Sequence, residues 1–131
     1  MRLLVPADGE HTISVAQTDE RCFNRNSDYD YSHCRMIILK IEKDADTIEE
    51  LEVTYVSGIS GWDRDTHAAF ENLVRGEYFI FVEMDWAEKT EDTEFCLTCY
   101  GFSKTFFLRD EKSLFEKTAF LRKAYASKAL Q

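Results

Sequence analysis

The segment Glu77–Met84 constrains the fold most strongly, because large apolar side chains occupy both of its faces. Successive side chains of a β-strand point to opposite sides of the sheet. One side therefore carries Tyr78, Ile80, Val82 and Met84, and the other carries Phe79 and Phe81. Tyr78, just after Gly76, is a large anchor that the spacing places between two layers. Gly76 permits a tight turn that a Cβ would hinder.

The rest of the apolar pattern is also strand-like. Further strands are predicted over five ranges: 12–18, 35–41, 51–56, 94–100 and 105–108. Residues 67–73 fit either a strand or a helical turn. Turn signals separate the runs, among them Arg75-Gly76 and Ser57-Gly58 with Gly61. Strands that follow one another without intervening helices favour an antiparallel β-sandwich, so the predicted fold class is mostly β.

The last part of the chain changes to a helical period. A stripe is formed by Leu114, Thr118, Leu121, Tyr125 and Ala129. Ser113, with Glu116 three residues later, fits a capping box at a helix start. The pattern predicts an amphipathic C-terminal helix over about 113–129. We expect it to pack on the chain's own sandwich rather than on a neighbour.

Composition limits both the organisation and the partners. The chain has 131 residues and 14% aromatic residues, which suits a single domain over 1–131 with a sandwich core at about 10–109. The net charge of −9 repels nucleic acid and favours a cation or a basic partner surface. The first ten residues lack the apolar run of a signal peptide or membrane span. We therefore expect a cytoplasmic protein with reduced cysteines.

The cysteines and histidines do not assemble a recognisable reaction site. Cys96 and Cys99 are spaced as in redox and zinc motifs, but residues three apart on a strand face opposite ways, so the two sulfurs should not meet. We predict instead that the cysteines are buried structural thiols. His33 and Cys34 are sequence neighbours, whereas nucleophile pairs are assembled across space. No catalytic residues and no enzyme activity are predicted. A small thiol hydrolase with a site drawn from His33, Cys22 or Cys34 is the remaining catalytic alternative.

Two acidic stretches are candidate calcium sites, because calcium takes six to eight oxygens from carboxylates and carbonyls on loops. The first stretch contributes Asp85, Glu88, Glu91, Asp92 and Glu94. The second contributes Asp44 and Asp46. Neither stretch fits an EF-hand; in the second, Glu49 stands at the sixth loop position, where an EF-hand needs glycine. The two loops form one cation site only if they share an end of the sandwich.

Three stretches together resemble a known family. They are ISVAQTDER at 13–21, YSHCRMII at 31–38, and FENLVRGEYFIF at 70–81 followed by EMDW, which ends at Trp86. In this order and spacing they resemble the calpain-type β-sandwich domain, domain III of the calpain large subunit, and most closely its form in protist calpain-like proteins. The Leu-x-x-Gly-x-Tyr feature of that family matches Leu73, Gly76 and Tyr78.

The resemblance implies an antiparallel sandwich of about eight strands that contacts a protease core. It also implies calcium-dependent, phospholipid-linked regulation through acidic loops. The catalytic residues of calpains belong to the protease core, and their motifs do not occur in this chain. The sequence departs from the family where Lys43 and Lys89 interrupt the acidic loops. The helical tail beyond Asp110 also lies outside the core family pattern.

Three functional hypotheses follow. The first is a non-catalytic regulatory or interaction module of a calpain-like protein, whose partner is a protease core or another protein. The second is a calcium-dependent module that recruits the chain to phospholipid membranes, and the third is the thiol hydrolase. A calcium titration that follows thermal stability and liposome pelleting separates the first two. The third requires thiol-dependent turnover.

Overall fold

The structure is a computed structural model that describes residues 1–23, 30–86, 94–108 and 116–131. Its elements in chain order are β1 Arg2–Val5, β2 Gly9–Gln17, a 3₁₀ turn Glu20–Cys22, β3 His33–Lys43, β4 Glu52–Gly61, β5 Asp65–Leu73, β6 Gly76–Asp85, β7 Phe95–Gly101, β8 Phe106–Leu108 and α1 Lys117–Ala129. The predicted mostly-β class, with eight strands and a C-terminal helix, is confirmed. The described helix is not long and apolar enough to cross a membrane.

Two antiparallel sheets form the sandwich. The five-stranded sheet has the order β4-β3-β6-β1-β8, and the three-stranded sheet has the order β5-β2-β7. Strands β3 and β6 lie at the centre of the larger sheet and are apolar on both faces, as their sequences predict. Each face of these strands therefore faces its own apolar core.

The inner core lies between the two sheets. Tyr78 is only 1% exposed and packs there with Ile13, Val15 and Ile80. Its hydroxyl donates a hydrogen bond to the carbonyl of Val74. Tyr78 thus spans the interior and ties the start of β6 to the preceding turn.

The structure differs from the sequence predictions at two places and decides a third that they leave open. Residues 2–5 had no assigned strand, yet β1 lies inside the larger sheet, paired with both β6 and β8. Ser57-Gly58 does not form a turn, because β4 continues through it to Gly61 in register with β3. The ambiguous segment 67–73 belongs to strand β5. These outcomes depend on long-range pairing, which a local pattern does not contain.

The C-terminal helix starts later than predicted. Glu116 has extended backbone and acts as the N-cap, accepting hydrogen bonds from the N–H groups of Thr118 and Ala119. Ser113 lies outside the described residues. The predicted stripe is also wrong, since Thr118 and Tyr125 are exposed while the buried face centres on Phe120 and Ala124.

The helix packs on the chain's own sandwich, as expected, and covers the outer face of the five-stranded sheet. Phe120 is 8% exposed, with its ring centroid 5.9 Å from that of Phe79 and 5.7 Å from that of Phe81. Leu39 and Leu51 complete this outer core. The aromatic face of β6 that points away from Tyr78 is therefore buried under α1.

Candidate functional site

The register separates the two acidic loops. Asp85, at the end of β6, pairs with His33 at the start of β3, whereas Asp44 follows Lys43 at the other end of β3. Ten residues of extended strand span about 33 Å. Asp85 and Asp44 therefore lie at opposite ends of the sheet.

Each acidic stretch has its own surroundings. The carboxylate of Asp44 accepts two hydrogen bonds of 2.9 Å from the guanidinium of Arg2. Asp46, Asp85 and Glu94 are exposed. The remaining candidates of the first stretch, Glu88, Glu91 and Asp92, lie outside the described residues. Within the described ranges, no group of three or more His, Cys, Asp or Glu side chains is placed to hold a metal ion.

The cysteines are only partly the buried thiols that were predicted. Cys34 is buried and Cys99 is half-buried, but Cys22 and Cys96 are exposed. Cys96 pairs with Ala16 on the outer side of its sheet, while Cys99 packs against the inner core. Burial raises the pKa of both the Cys34 and the Cys99 thiols. A raised pKa disfavours the thiolate that nucleophilic chemistry requires.

Two of the three histidines, His11 and His33, make contacts of a structural kind. His11 is fully buried, with Nδ1 2.9 Å from the Gly9 carbonyl and Nε2 2.8 Å from the Ser103 hydroxyl. The ring of His33 lies against Trp62, with 5.0 Å between the centroids. His33 therefore contacts an indole ring rather than completing a pair with Cys34.

The residues of the three resemblance motifs have structural roles, and those of the first two motifs connect the two sheets. The side chain of Gln17 donates a 2.8 Å hydrogen bond to the carbonyl of Ser32 and accepts another of 2.8 Å from the Ser32 N–H. This pair joins the end of β2 in one sheet to the segment that enters β3 in the other. Gly76 has a φ of 154°, which favours glycine, at the first position of β6. Trp86 is half-buried directly after β6.

A polar cleft of about 660 Å³ opens on the three-stranded sheet. Its lining residues are Ser14, Tyr31, Asp63, Arg64, Asp65, His67 and Tyr100. Ser14 pairs with His67 across the strands, but no hydrogen bond connects Ser14, His67 and Asp65 among the described residues. Arg64 is held by Asp19 and Asp65 at 2.8 Å each. This arrangement lacks the hydrogen-bonded relay that activates a serine.

The outer edge of β4, which pairs with no described strand, is covered by the C-terminal segment. The Tyr55 N–H donates a 2.9 Å hydrogen bond to the Ser127 hydroxyl, which donates in turn to the Val53 carbonyl at 3.1 Å. Gln131 donates to the Tyr55 carbonyl. An uncovered sheet edge is a template for pairing with another chain. Here three backbone groups of that edge are satisfied from within the chain.

On the same side of the sandwich as β4, the edge strand of the three-stranded sheet is β5, and charged side chains protect its edge. Strand β5 carries Asp65 and Glu71, and charged side chains discourage the addition of another strand. Strand β7, at the opposite edge of the same sheet, reads FCLTCYG and contains neither charge nor proline. The short strand β8, FFL, is likewise uncharged at the nearby edge of the larger sheet.

The side of the sandwich bounded by β7 and β8 contains an apolar cleft of about 460 Å³. Its walls come from both sheets, and its lining residues are Met1, Ile80, Val82, Phe95, Leu97 and Phe107. Phe95 is 43% exposed and Phe107 37%. We call this region, β7, β8 and the cleft between them, the open side. The sequence predicts both strands, but only their positions in the two sheets reveal that they frame one surface.

The other two residues of β8 on the open side, Phe106 and Leu108, are also more than one-third exposed. Clustered exposure of large apolar side chains marks an interaction surface, whereas single exposed residues are ordinary. The open side is therefore the strongest candidate functional site on the described surface. In comparisons with protein-family models, curated proteins and solved structures, this chain matches none of them.

Proposed function

We propose that this chain is a non-catalytic, cytoplasmic interaction module that binds a protein partner through the open side. The observation that carries the proposal is the exposure of Phe95 and Phe107 at the mouth of an apolar cleft between the two sheets. Aromatic side chains dominate binding energy at protein interfaces, and a cleft beside them accepts a partner's side chain.

The contrast among the sheet edges supports this proposal. The edge of β4 is satisfied by Ser127 and Gln131, and β5 carries charge. Among the described strands, only β7 and β8 combine an edge position with an uncharged sequence and exposed aromatic side chains. Protection that is applied elsewhere and omitted on one side favours a functional reason for the omission.

The partner class follows from the resemblance to the calpain-type β-sandwich domain. Domains of that type contact a protease core, so we propose a calpain-like protease core, or another protein that takes its place, as the partner. The net charge of −9 favours a partner whose contact surface is basic around an apolar centre. In this proposal the chain contributes binding and regulation, and any catalytic residues belong to the partner.

The test is site-specific photo-crosslinking followed by a binding measurement. A photoreactive phenylalanine analogue is placed at Phe107 or, as the control, at Trp62, which is 66% exposed on the turn between β4 and β5. We expect a discrete partner from cells of the source organism at position 107 only. The captured protein is then purified and titrated against the folded domain.

The decisive variants are Phe95→Ser with Phe107→Ser, compared with Trp62→Ser. The loss of two anchors should weaken the purified complex by about tenfold or more, with thermal unfolding verifying that each variant is folded. The proposal fails if the double variant binds as tightly as the parent chain. It also fails if Trp62→Ser weakens the complex equally.

A further inference from the structure

We infer that the partner binds by adding an extended strand to the outer edge of β7, antiparallel to it. This inference rests on the proposed function and specifies the form of the ligand. Strand β7 pairs with β2 through all seven residues, and no described strand pairs with its other edge. Seven extended residues present an edge about 23 Å long. The matching edge strand β8 has only three residues, so it offers much less backbone.

The backbone groups that face outward can be assigned. The N–H of Phe102 donates a 2.7 Å hydrogen bond to the carbonyl of Glu10 across the β2–β7 ladder. In an antiparallel pair, hydrogen-bonded and non-hydrogen-bonded positions alternate. The backbone N–H and C=O groups of Cys96, Thr98 and Tyr100 therefore point toward β2. Those of Phe95, Leu97 and Cys99 point toward the open edge.

The same alternation defines the side chains that an added strand needs. Residues opposite Phe95, Leu97 and Cys99 share the inner face, where the cleft is lined by Ile80 and Val82. Those positions require apolar side chains. Residues opposite Cys96, Thr98 and Tyr100 lie on the solvent face of the sheet, where all three side chains are exposed. The fitting ligand alternates apolar and polar residues with period two.

Every described strand pair in the molecule is antiparallel, which favours the antiparallel orientation, and charge then indicates which end of the ligand is basic. Strand β7 has no charge of its own, but Glu94 directly precedes it. The C-terminal end of an antiparallel ligand lies beside Glu94, so a basic residue there is complementary. The net charge of −9 accelerates the association of a segment with such an end. The ligand is thus an extended, alternating apolar segment that ends in lysine or arginine.

The probe is a synthetic peptide of seven residues alternating valine and threonine, beginning and ending with valine and followed by two lysines. In the inferred complex the valine N–H groups face β7, while the threonine N–H groups face away. N-methylation of the last three valines of the peptide removes hydrogen bonds that these N–H groups would donate to β7. N-methylation of the three threonines is the matched control, because it adds the same number of methyl groups on the other side.

We expect the unmodified peptide to bind and valine methylation to weaken binding by about tenfold or more. Threonine methylation should change it far less. Amide exchange followed by NMR should slow at Leu97 and Cys99, whose N–H groups gain partners, and change little at Thr98, which is already paired with β2. Moving the two lysines to the N-terminus of the peptide should also weaken binding.

Equal losses from the two methylation patterns would overturn the inference, as would exchange protection at residues away from β7. Self-association of the chain through β7 that the peptide does not compete with would also overturn it, since the occupant would then be a second copy. If the peptide fails while Phe95→Ser with Phe107→Ser still weakens the purified partner, only the added strand is refuted. The proposed interaction function then stands.

Discussion

The hydroxyl of Ser127 accepts a 2.9 Å hydrogen bond from the backbone N–H of Tyr55, so a helix side chain occupies a position that another strand would otherwise fill. The same hydroxyl donates to the carbonyl of Val53. One side chain thus substitutes for part of a ladder. This relationship makes the edge of β4 dependent on the docking of α1, and it can be tested independently of any partner.

Ser127→Ala should destabilise the domain by about 1–2 kcal/mol, because it leaves partly buried groups of Tyr55 and Val53 without their partner. Urea unfolding at neutral pH measures the change. The control is Ala126→Ser at an exposed neighbouring position, which reverses the helix-propensity difference without touching the edge. An unchanged midpoint for Ser127→Ala would show that water replaces the hydroxyl without loss.

Phe120→Ala should cost about 3–4 kcal/mol and loosen the helix, because the side chain fills the outer core against Phe79 and Phe81. Thermal unfolding and near-ultraviolet circular dichroism measure the two effects. Tyr125→Ala is the control, since that ring is 43% exposed on the same helix. Similar losses from the two variants would contradict the assignment of the buried face.

Gly101→Ala should destabilise the fold by about 3 kcal/mol or more. The φ of Gly101 is 154°, and an added Cβ would collide with the backbone carbonyl of Glu10 on β2. The control is Gly61→Ala, where the nearest atom to the added Cβ is a side-chain oxygen of Asp63 at 3.9 Å. Chemical denaturation of both variants measures the difference. A small effect at position 101 would mean that the end of β7 can shift away from β2.

The stability of the domain should fall as the pH rises from about 10 toward 12, partly because of Tyr78. Burial raises the pKa of Tyr78 to about 12, so the unfolded chain loses this proton at lower pH than the folded chain. Tyr78→Phe should cost about 1 kcal/mol at neutral pH, through the lost bond to Val74, and should flatten the alkaline decline. Parallel stability curves for the two proteins between about pH 9 and 12 would contradict this, because that range contains the pKa of an ordinary tyrosine and extends to the raised pKa of Tyr78.

The fold was predictable where the pattern is local. Tyr78 and Ile80 face the inner core while Phe79 and Phe81 face the outer one, as their alternation indicates. The short strand β1 was not predictable, because four residues carry too weak a signal and its place between β6 and β8 depends on distant partners. The helix stripe failed because the aromatic contacts of Phe120 decide which face is buried.

The candidate site was less predictable than the fold. The acidic loops around Asp44 and Asp85 are conspicuous in the sequence, but strand register places them at opposite ends of β3. Conversely, Phe95 and Phe107 read as ordinary strand residues. Their exposure arises because β7 and β8 end their respective sheets on the same side, and that arrangement is set by strand order.

The dependence of β4 on Ser127 has a consequence during translation. Tyr55 and Ser127 are 72 residues apart, so the strand leaves the ribosome well before the side chain that shields it. At about 5–20 residues per second, the interval lasts roughly 4–14 s. Throughout that interval a nascent chain exposes bare backbone beside the apolar face of its largest sheet. Chaperone occupancy should therefore be highest on ribosomes stalled between these two points and should drop once the C-terminal helix has emerged.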